Sequence, residues 1–171
     1  MDIPENAILR VTYMQLSEMP PSPARNVGPE HINLERPTRL PYLALYRQVG
    51  ESLHWDQRLR MPEAELDALL NGGHLHIYVM RNVLGDALGF CEFDHTSFPE
   101  IELKNFGLVP AAQGRGLGPR LLLESLQREW ESNPSRIWLH TDTWDHPAAV
   151  RVYERAGFHV YAVRDEAVGT L

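Results

Sequence analysis

Between Val109 and Pro119 the chain ends an apolar run, turns through three glycines and enters an apolar helix. This order of strand, glycine-rich loop and helix constrains the fold more than any other stretch. The loop carries Gln113, Gly114, Arg115, Gly116, Leu117 and Gly118, and the helix is read as starting at about Pro119. The first turn of a helix leaves backbone N–H groups without partners, and the helix dipole makes that end electropositive. Glycines let the backbone wrap closely round an anion because no Cβ intervenes. Proline suits the first helical position, where its missing N–H costs nothing. A phosphate-bearing ligand is expected here.

The two common nucleotide patterns do not fit. A P-loop needs Lys and then Ser or Thr after its last glycine, whereas Gly118 is followed by Pro119 and Arg120. The dinucleotide fingerprint needs Gly-x-Gly-x-x-Gly, and Gly114, Gly116 and Gly118 are spaced two and two. What remains is Gln-x-x-Gly-x-Gly, filled by Gln113, Gly116 and Gly118.

The rest of the chain supplies the frame. Its 171 residues are read as one domain, residues 1–171, with ordinary shares of hydrophobic (43%) and charged (23%) residues. A net charge of −7 argues against a nucleic-acid surface and favours cationic ligands. The single cysteine, Cys91, excludes an internal disulfide and fits a reducing compartment. The start, MDIPENAILR, has no apolar h-region, and no apolar run approaches the ~20 residues that span a bilayer. A cytoplasmic protein without a membrane partner is expected.

Alternation of Leu9, Val11 and Tyr13 suits a first strand, and the Pro-rich stretch from Met19 to Glu30 a loop. Leu40, Leu43, Leu45, Tyr46 and Val49 predict a helix over Thr38–Trp55, broken near Gly50. Pro62 to Gly72 predicts a second, with Leu66, Leu69 and Leu70 on one face. HLHIYVM and ALGFCEFD read as an antiparallel hairpin turning near Gly85, and IELKNFGLV as its third strand. Leu122, Leu126 and Trp130 then mark the helix after the loop. RIWLHTD must run parallel to the strand before that helix. Pro147 opens a last helix, Gly157 closes it, and FHVYAVR is the final strand.

A second motif is DHPAAVRVYERAGF, from Asp145 to Phe158. With the Gln113–Gly118 loop and the element order, it resembles the GNAT (GCN5-related) N-acetyltransferase family. That family shows Asn-x-x-Ala-x-x-x-Tyr-x-x-x-Gly-Phe. Ala149, Tyr153, Gly157 and Phe158 stand in register with it, and His146 takes the Asn place. The likeness is strong from about Glu100 to Tyr161 and rests on element order before that.

The resemblance implies the GNAT fold: an α/β architecture with a central, mostly antiparallel sheet, one parallel, splayed strand pair, and flanking helices. It also implies acetyl-CoA as cosubstrate, bound in the splay. Its acetyl group would be attacked directly by a primary amine of a small molecule or peptide. Backbone N–H groups near Leu108 and Val109 would meet the pantetheine arm and carbonyl. Gln113 to Gly118 would hold the pyrophosphate, with Arg115 and Arg120 adding charge. Tyr153 corresponds to the family's acid at the thioester sulfur; a phenol with a reference pKa of about 10 is protonated at neutral pH. Glu102 is the candidate base, although Lys104 on the same alternating face can pair with it instead. Family members commonly dimerise, which adds a homodimer to the expectations.

Other chemistry competes. In HTDTWDH, His140, Asp142, Asp145 and His146 are metal-ligand types and would suit a metal-dependent hydrolase. The simpler account makes Asp145 or His146 a helix cap and His140 a pocket wall. Without an HExxH or cysteine cluster, no metal is assigned. His74 and His76 share a strand face without an evident third ligand. Cys91 with His95 is a thiol-nucleophile pattern, yet a lone Cys on an apolar strand is usually core. His54 and Trp55 either face the acceptor or pack. Three readings remain: an N-acetyltransferase, a non-catalytic acyl-CoA-binding regulatory module, and a metal-dependent hydrolase.

Overall fold

The computed structural model describes residue 4 and residues 7–23 and 28–168. Most of the extreme N-terminus, on which the targeting argument rests, lies outside the described residues, as do residues 24–27 of the Pro-rich loop. In chain order the elements are β1 (Ile8–Leu16), β2 (His31–Glu35), α1 (Arg39–Gly50), α2 (Gln57–Arg60), α3 (Glu63–Asn71), β3 (Leu75–Arg81) and β4 (Ala87–Asp94). They continue with β5 (Glu100–Leu108), α4 (Leu117–Trp130), β6 (Arg136–Asp142), α5 (Ala149–Arg155) and β7 (His159–Ala167).

The strands form one sheet in the order β2-β3-β4-β5-β6-β1-β7. Every pair is antiparallel except β5 and β6, which run parallel because α4 carries the chain back between them. This is the mixed α/β architecture expected, with its parallel step at the centre.

Helices cover both faces, and neighbouring residues of β5 show which lies where. A Cβ on Gly107 would come within 2.5 Å of Val49 on α1, whereas Gly118 on α4 faces Leu108 and Phe106. Successive strand residues point to opposite sides, so α1 and α4 sit on opposite faces. Leu117, Leu121, Leu122 and Leu126 bury one stripe of α4 against the sheet. Each contributes about 1.5–3 kcal/mol.

Several expectations change in detail. The helix read over residues 38–55 stops at Gly50, followed by a 3₁₀ turn (Glu51–Leu53) and the short α2. Its buried face is Tyr42, Tyr46 and Val49, and Leu40 is exposed. Strand β2 went unread because only Ile32 of its five residues is buried. Helix α4 begins at Leu117, which makes Pro119 its third residue, still within the turn whose N–H groups lack intrahelical acceptors. Helix α5 begins two residues after Pro147. Among the described residues no helix is long and apolar enough to cross a membrane.

Candidate active site

The parallel pairing of β5 and β6 is brief. It runs from Glu100↔Arg136 to Glu102↔Trp138, yet the strands continue to Leu108 and Asp142. Each stays attached to its other neighbour, β5 to β4 as far as Leu108↔Gly89 and β6 to β1 as far as Asp142↔Val11. The β4–β5 register shifts where Phe93 faces Leu103 and Glu92 faces Asn105, leaving Lys104 as an extra residue. Such a bulge bends and twists its strand, and it lies just where β5 leaves β6. The two strands part over a cavity of about 920 Å³.

Where the strands part, the cavity reaches both faces of the sheet. Leu103 before the bulge lines it, as do Lys104, Asn105, Phe106, Gly107 and Leu108, whereas Glu102 does not. Beyond the bulge, the Val109 N–H donates to Leu88 O at 2.8 Å. In an antiparallel ladder, residues alternate between facing their partner and facing away. The N–H and C=O of Leu108, and of Phe106 two residues earlier, are therefore turned towards the side β6 has vacated. Of the two donors expected near the carbonyl, Leu108 faces the cleft and Val109 is committed to β4.

The loop closes one end of this cleft. Gly114 (φ +73°) and Gly116 (φ +74°) are left-handed, a region in which L-residues are strained, and nothing lies within 4 Å of a Cβ built on either. Gly116 is the N-cap of α4, so the free N–H groups of the first turn open beside the loop. Gln113, Gly114, Gly116, Leu117 and Gly118 line the cavity, and Gln113 Nε2 donates to Leu108 O at 3.3 Å. The two arginines are placed elsewhere. Arg115 reaches Glu30 at 3.2 Å; Arg120 holds the Glu30 backbone oxygen at 2.6 Å and Glu124 at 3.0 Å. Neither lines the cavity, because the nearly buried Glu30 draws both guanidinium groups to itself.

Tyr153 stands on α5 beneath the cleft, its ring 5.9 Å from those of Phe106 and Phe158. The end of α5 explains the Tyr-x-x-x-Gly-Phe spacing. Gly157 takes φ +106° and donates to Glu154 O, while the Phe158 N–H donates to Tyr153 O. This left-handed cap joins Tyr153 to Phe158 by a backbone bond and a ring contact. Burial, and then the Asp145 carboxylate, raise the Tyr153 pKa well above the usual phenol value. Glu102 pairs with Lys104 at 3.1 Å, the pairing foreseen as the alternative to a base role, and lies 3.9 Å from His140 Nε2. Lys104 and His140 line the cavity in its place.

A family model described as "Acetyltransferase (GNAT) family" matches residues 41–158. The chain belongs to the GNAT acetyltransferase family. Mycothiol acetyltransferases of Gordonia bronchialis and Mycobacteroides abscessus are each 44% identical to it over 63 residues. That segment is 37% of this chain, but 20% and 21% of those relatives, so the match spans about one-fifth of their length. Among solved structures, a GCN5-related N-acetyltransferase from Sphaerobacter thermophilus superposes with a TM-score of 0.63 at 21% identity. That match covers 91% of this chain and 50% of that one. The IAA acetyltransferase of Bacillus cereus gives a TM-score of 0.59 at 16% identity, covering 78% and 79%. These likenesses show the shared GNAT fold.

Away from the loop, the cavity is walled by His54, Trp55, Trp144 and His146. Trp55 does both things considered for it: it faces the cavity and packs on Tyr46 at 5.5 Å and Phe90 at 6.1 Å. The His54 ring lies 5.3 Å from that of Trp144, tilted against it. His140, Asp142 and His146 do not converge as metal ligands; among the described residues a different trio alone brings three such atoms within 4.8 Å. His146 Nδ1 instead accepts from the Ala148 N–H at 3.1 Å, and Asp145 accepts from Thr141 and the Asp142 N–H. Cys91 is fully buried, which pushes its thiol pKa up and removes it as a nucleophile.

A buried polar group behind the cavity wall escaped the sequence reading. Glu92 accepts from Arg58 at 2.6 Å, from Tyr42 at 2.5 Å and from Asn105 at 3.1 Å. Asn105, itself in the lining, is thus held by an ion pair on the α1 face. The available signal was an acidic residue inside the apolar run ALGFCEFD.

Proposed function

We propose that this GNAT protein moves an acetyl group from acetyl-CoA to a primary amine. The observation that carries the reading is the parting of β5 from β6. It leaves the backbone edge of Phe106 and Leu108 facing a cavity that ends at the Gly114–Gly118 loop. An amide-bearing arm can pair with such an edge as a strand would, and the loop and helix start suit a pyrophosphate. Because Arg115 and Arg120 are held by Glu30, the phosphate contact rests first on backbone N–H groups.

In this reading the Leu108 N–H supports negative charge developing on the thioester oxygen. Tyr153 supplies a proton or hydrogen bond to the departing sulfur. Glu102 acts from behind the lining, and the amine's proton reaches it through His140 or a water. The carboxylates of Asp56, Asp142 and Asp145 at the acceptor end favour an amine carried on a cationic molecule.

The test is release of free CoA thiol with a panel of amines: polyamines, amino acids, aminoglycosides and peptide N-termini. Turnover is expected with at least one cationic amine. Glu102→Gln should lower kcat by about 10²-fold or more. Lys104, 3.1 Å from the candidate base, favours a second reading in which the protein binds acyl-CoA without turning it over. Tight acetyl-CoA binding with no thiol release from any amine would select that reading.

A further inference from the structure

At the far end of α4 from the acyl site lies a cluster that the proposed reaction does not use. His76 projects from β3 and His95 follows β4. Glu129 lies in the last turn of α4, twelve residues beyond Leu117 and so roughly 18 Å along the helix. We propose that His76, His95 and Glu129 form a binding site for a divalent transition ion, with zinc as the ion their donors fit best.

The geometry is close to that of a three-ligand site. His76 Nδ1 stands 2.7 Å from Glu129 Oε1, and His95 Nε2 bonds the other carboxylate oxygen. The imidazole rings are 3.9 Å apart, and the three ligand atoms all lie within 4.8 Å of one another. A tetrahedral ion with bonds of about 2.0–2.2 Å spaces its ligand atoms roughly 3.4 Å apart. His76 Nδ1 and Glu129 Oε1, now 2.7 Å apart, would separate by roughly 0.7 Å to admit it, and the shorter His95 contact by somewhat more. Two imidazole nitrogens and a carboxylate are borderline donors of the kind that select zinc over calcium or magnesium.

Support and access are both present. The Tyr78 hydroxyl donates to Glu129 Oε1 at 2.7 Å, the outer contact that orients a ligating carboxylate, and the Arg128 guanidinium lies 5.7 Å over the Tyr78 ring. Glu129 is 1% exposed and His95 13%, so the carboxylate is sealed, while His76 at 34% leaves a way in and a position for water. As the cluster stands, two imidazoles tilted against each other each aim a ring nitrogen at one buried carboxylate. A dication would bind the lone pairs of those two nitrogens, each neutral ring carrying its single N–H on the other nitrogen. Bound there, it would fasten the end of α4 to β3 and to the connection after β4.

The test uses the full chain without an affinity tag, stripped with a chelator and titrated with zinc or cobalt. One ion per chain should bind at micromolar affinity or better, raise the melting temperature, and give visible d–d bands with cobalt. His76→Ala and His95→Ala should each weaken binding by at least about 100-fold, while His140→Ala, in the other histidine-rich run, binds as the parent does. Because His76 is one-third exposed, His76→Gln provides a variant whose fold is expected to survive. No binding, millimolar binding only, absent d–d bands in folded parent protein, or binding retained in a His76/His95 double variant would overturn the proposal.

Discussion

Tyr153 carries a hydroxyl that donates to no side chain among the described residues, in a setting that raises its pKa first by burial and then through Asp145. It therefore stays protonated throughout the neutral range. Full proton transfer to a thiolate, reference pKa about 8.5, grows harder as the phenol pKa rises. In the proposed reaction its contribution is thus concentrated in a hydrogen bond to charge appearing on sulfur. Tyr153→Phe keeps the ring against Phe106 and Phe158 but removes the donor. Steady-state kinetics should show kcat reduced by about 10²-fold, with acetyl-CoA affinity nearly unchanged by calorimetry. An unchanged kcat would remove Tyr153 from the chemistry. Asp142 tests the electrostatics of the same cavity. Burial first, and Asp145 second, raise its pKa above the usual aspartate value. The folded state then holds the proton more tightly than the unfolded, so this group's contribution is favourable at acid pH and lost as pH rises from about 4 through the folded pKa. Asp142→Asn keeps an oxygen to accept from the Trp144 N–H. It should raise the melting temperature at pH 7, with the gain vanishing below about pH 4; a gain unchanged across that range would contradict the assignment.

At the scale of elements, the short α2 is secured to β4 by one buried ion pair. Arg58 is 6% exposed and Glu92 fully buried, and Tyr42 and Asn105 complete the bonds of the carboxylate. Removing one partner strands the other charge, so Arg58→Met should cost about 3–5 kcal/mol in urea unfolding. The double variant Arg58→Met/Glu92→Leu should recover part of that loss; additive losses would show that the two residues act independently. This network also marks where reading the sequence falls short. Helix α2 has four residues and no hydrophobic period, and Glu92 appears in sequence only as a break in an apolar strand. Helix α4 was legible because its leucines recur with a helical period, and Tyr153, Gly157 and Phe158 were legible because one local cap fixes their spacing. The bulge at Lys104 has no such marker, since it arises from register against β4; Glu102 precedes it, at the last position still paired with β6, and stays out of the lining.

Across the whole molecule, the single helix α4 between β5 and β6 makes their parallel step readable from element order, whereas β2 and β3 pair antiparallel despite the helices between them. Order alone does not place β1 between β6 and β7 or add β2 to the far edge, since both depend on long-range pairing. The candidate site divides in the same way. Its phosphate end is one contiguous loop and can be read directly. Its acceptor end gathers His54 and Trp55 with Trp144 and His146 from segments some ninety residues apart, and no local pattern links them. In the proposed complex acetyl-CoA lies along the parted strands with its pyrophosphate at Gly114–Gly118. Calorimetric titration of the full chain with acetyl-CoA, beside Gly116→Trp, tests it most directly. A side chain at the left-handed Gly116 meets no protein atom at its Cβ but adds modest backbone strain and occupies the space of the phosphates. One micromolar site is expected in the parent protein and none in the folded variant. No binding by folded parent protein, or equal binding by both, would contradict it.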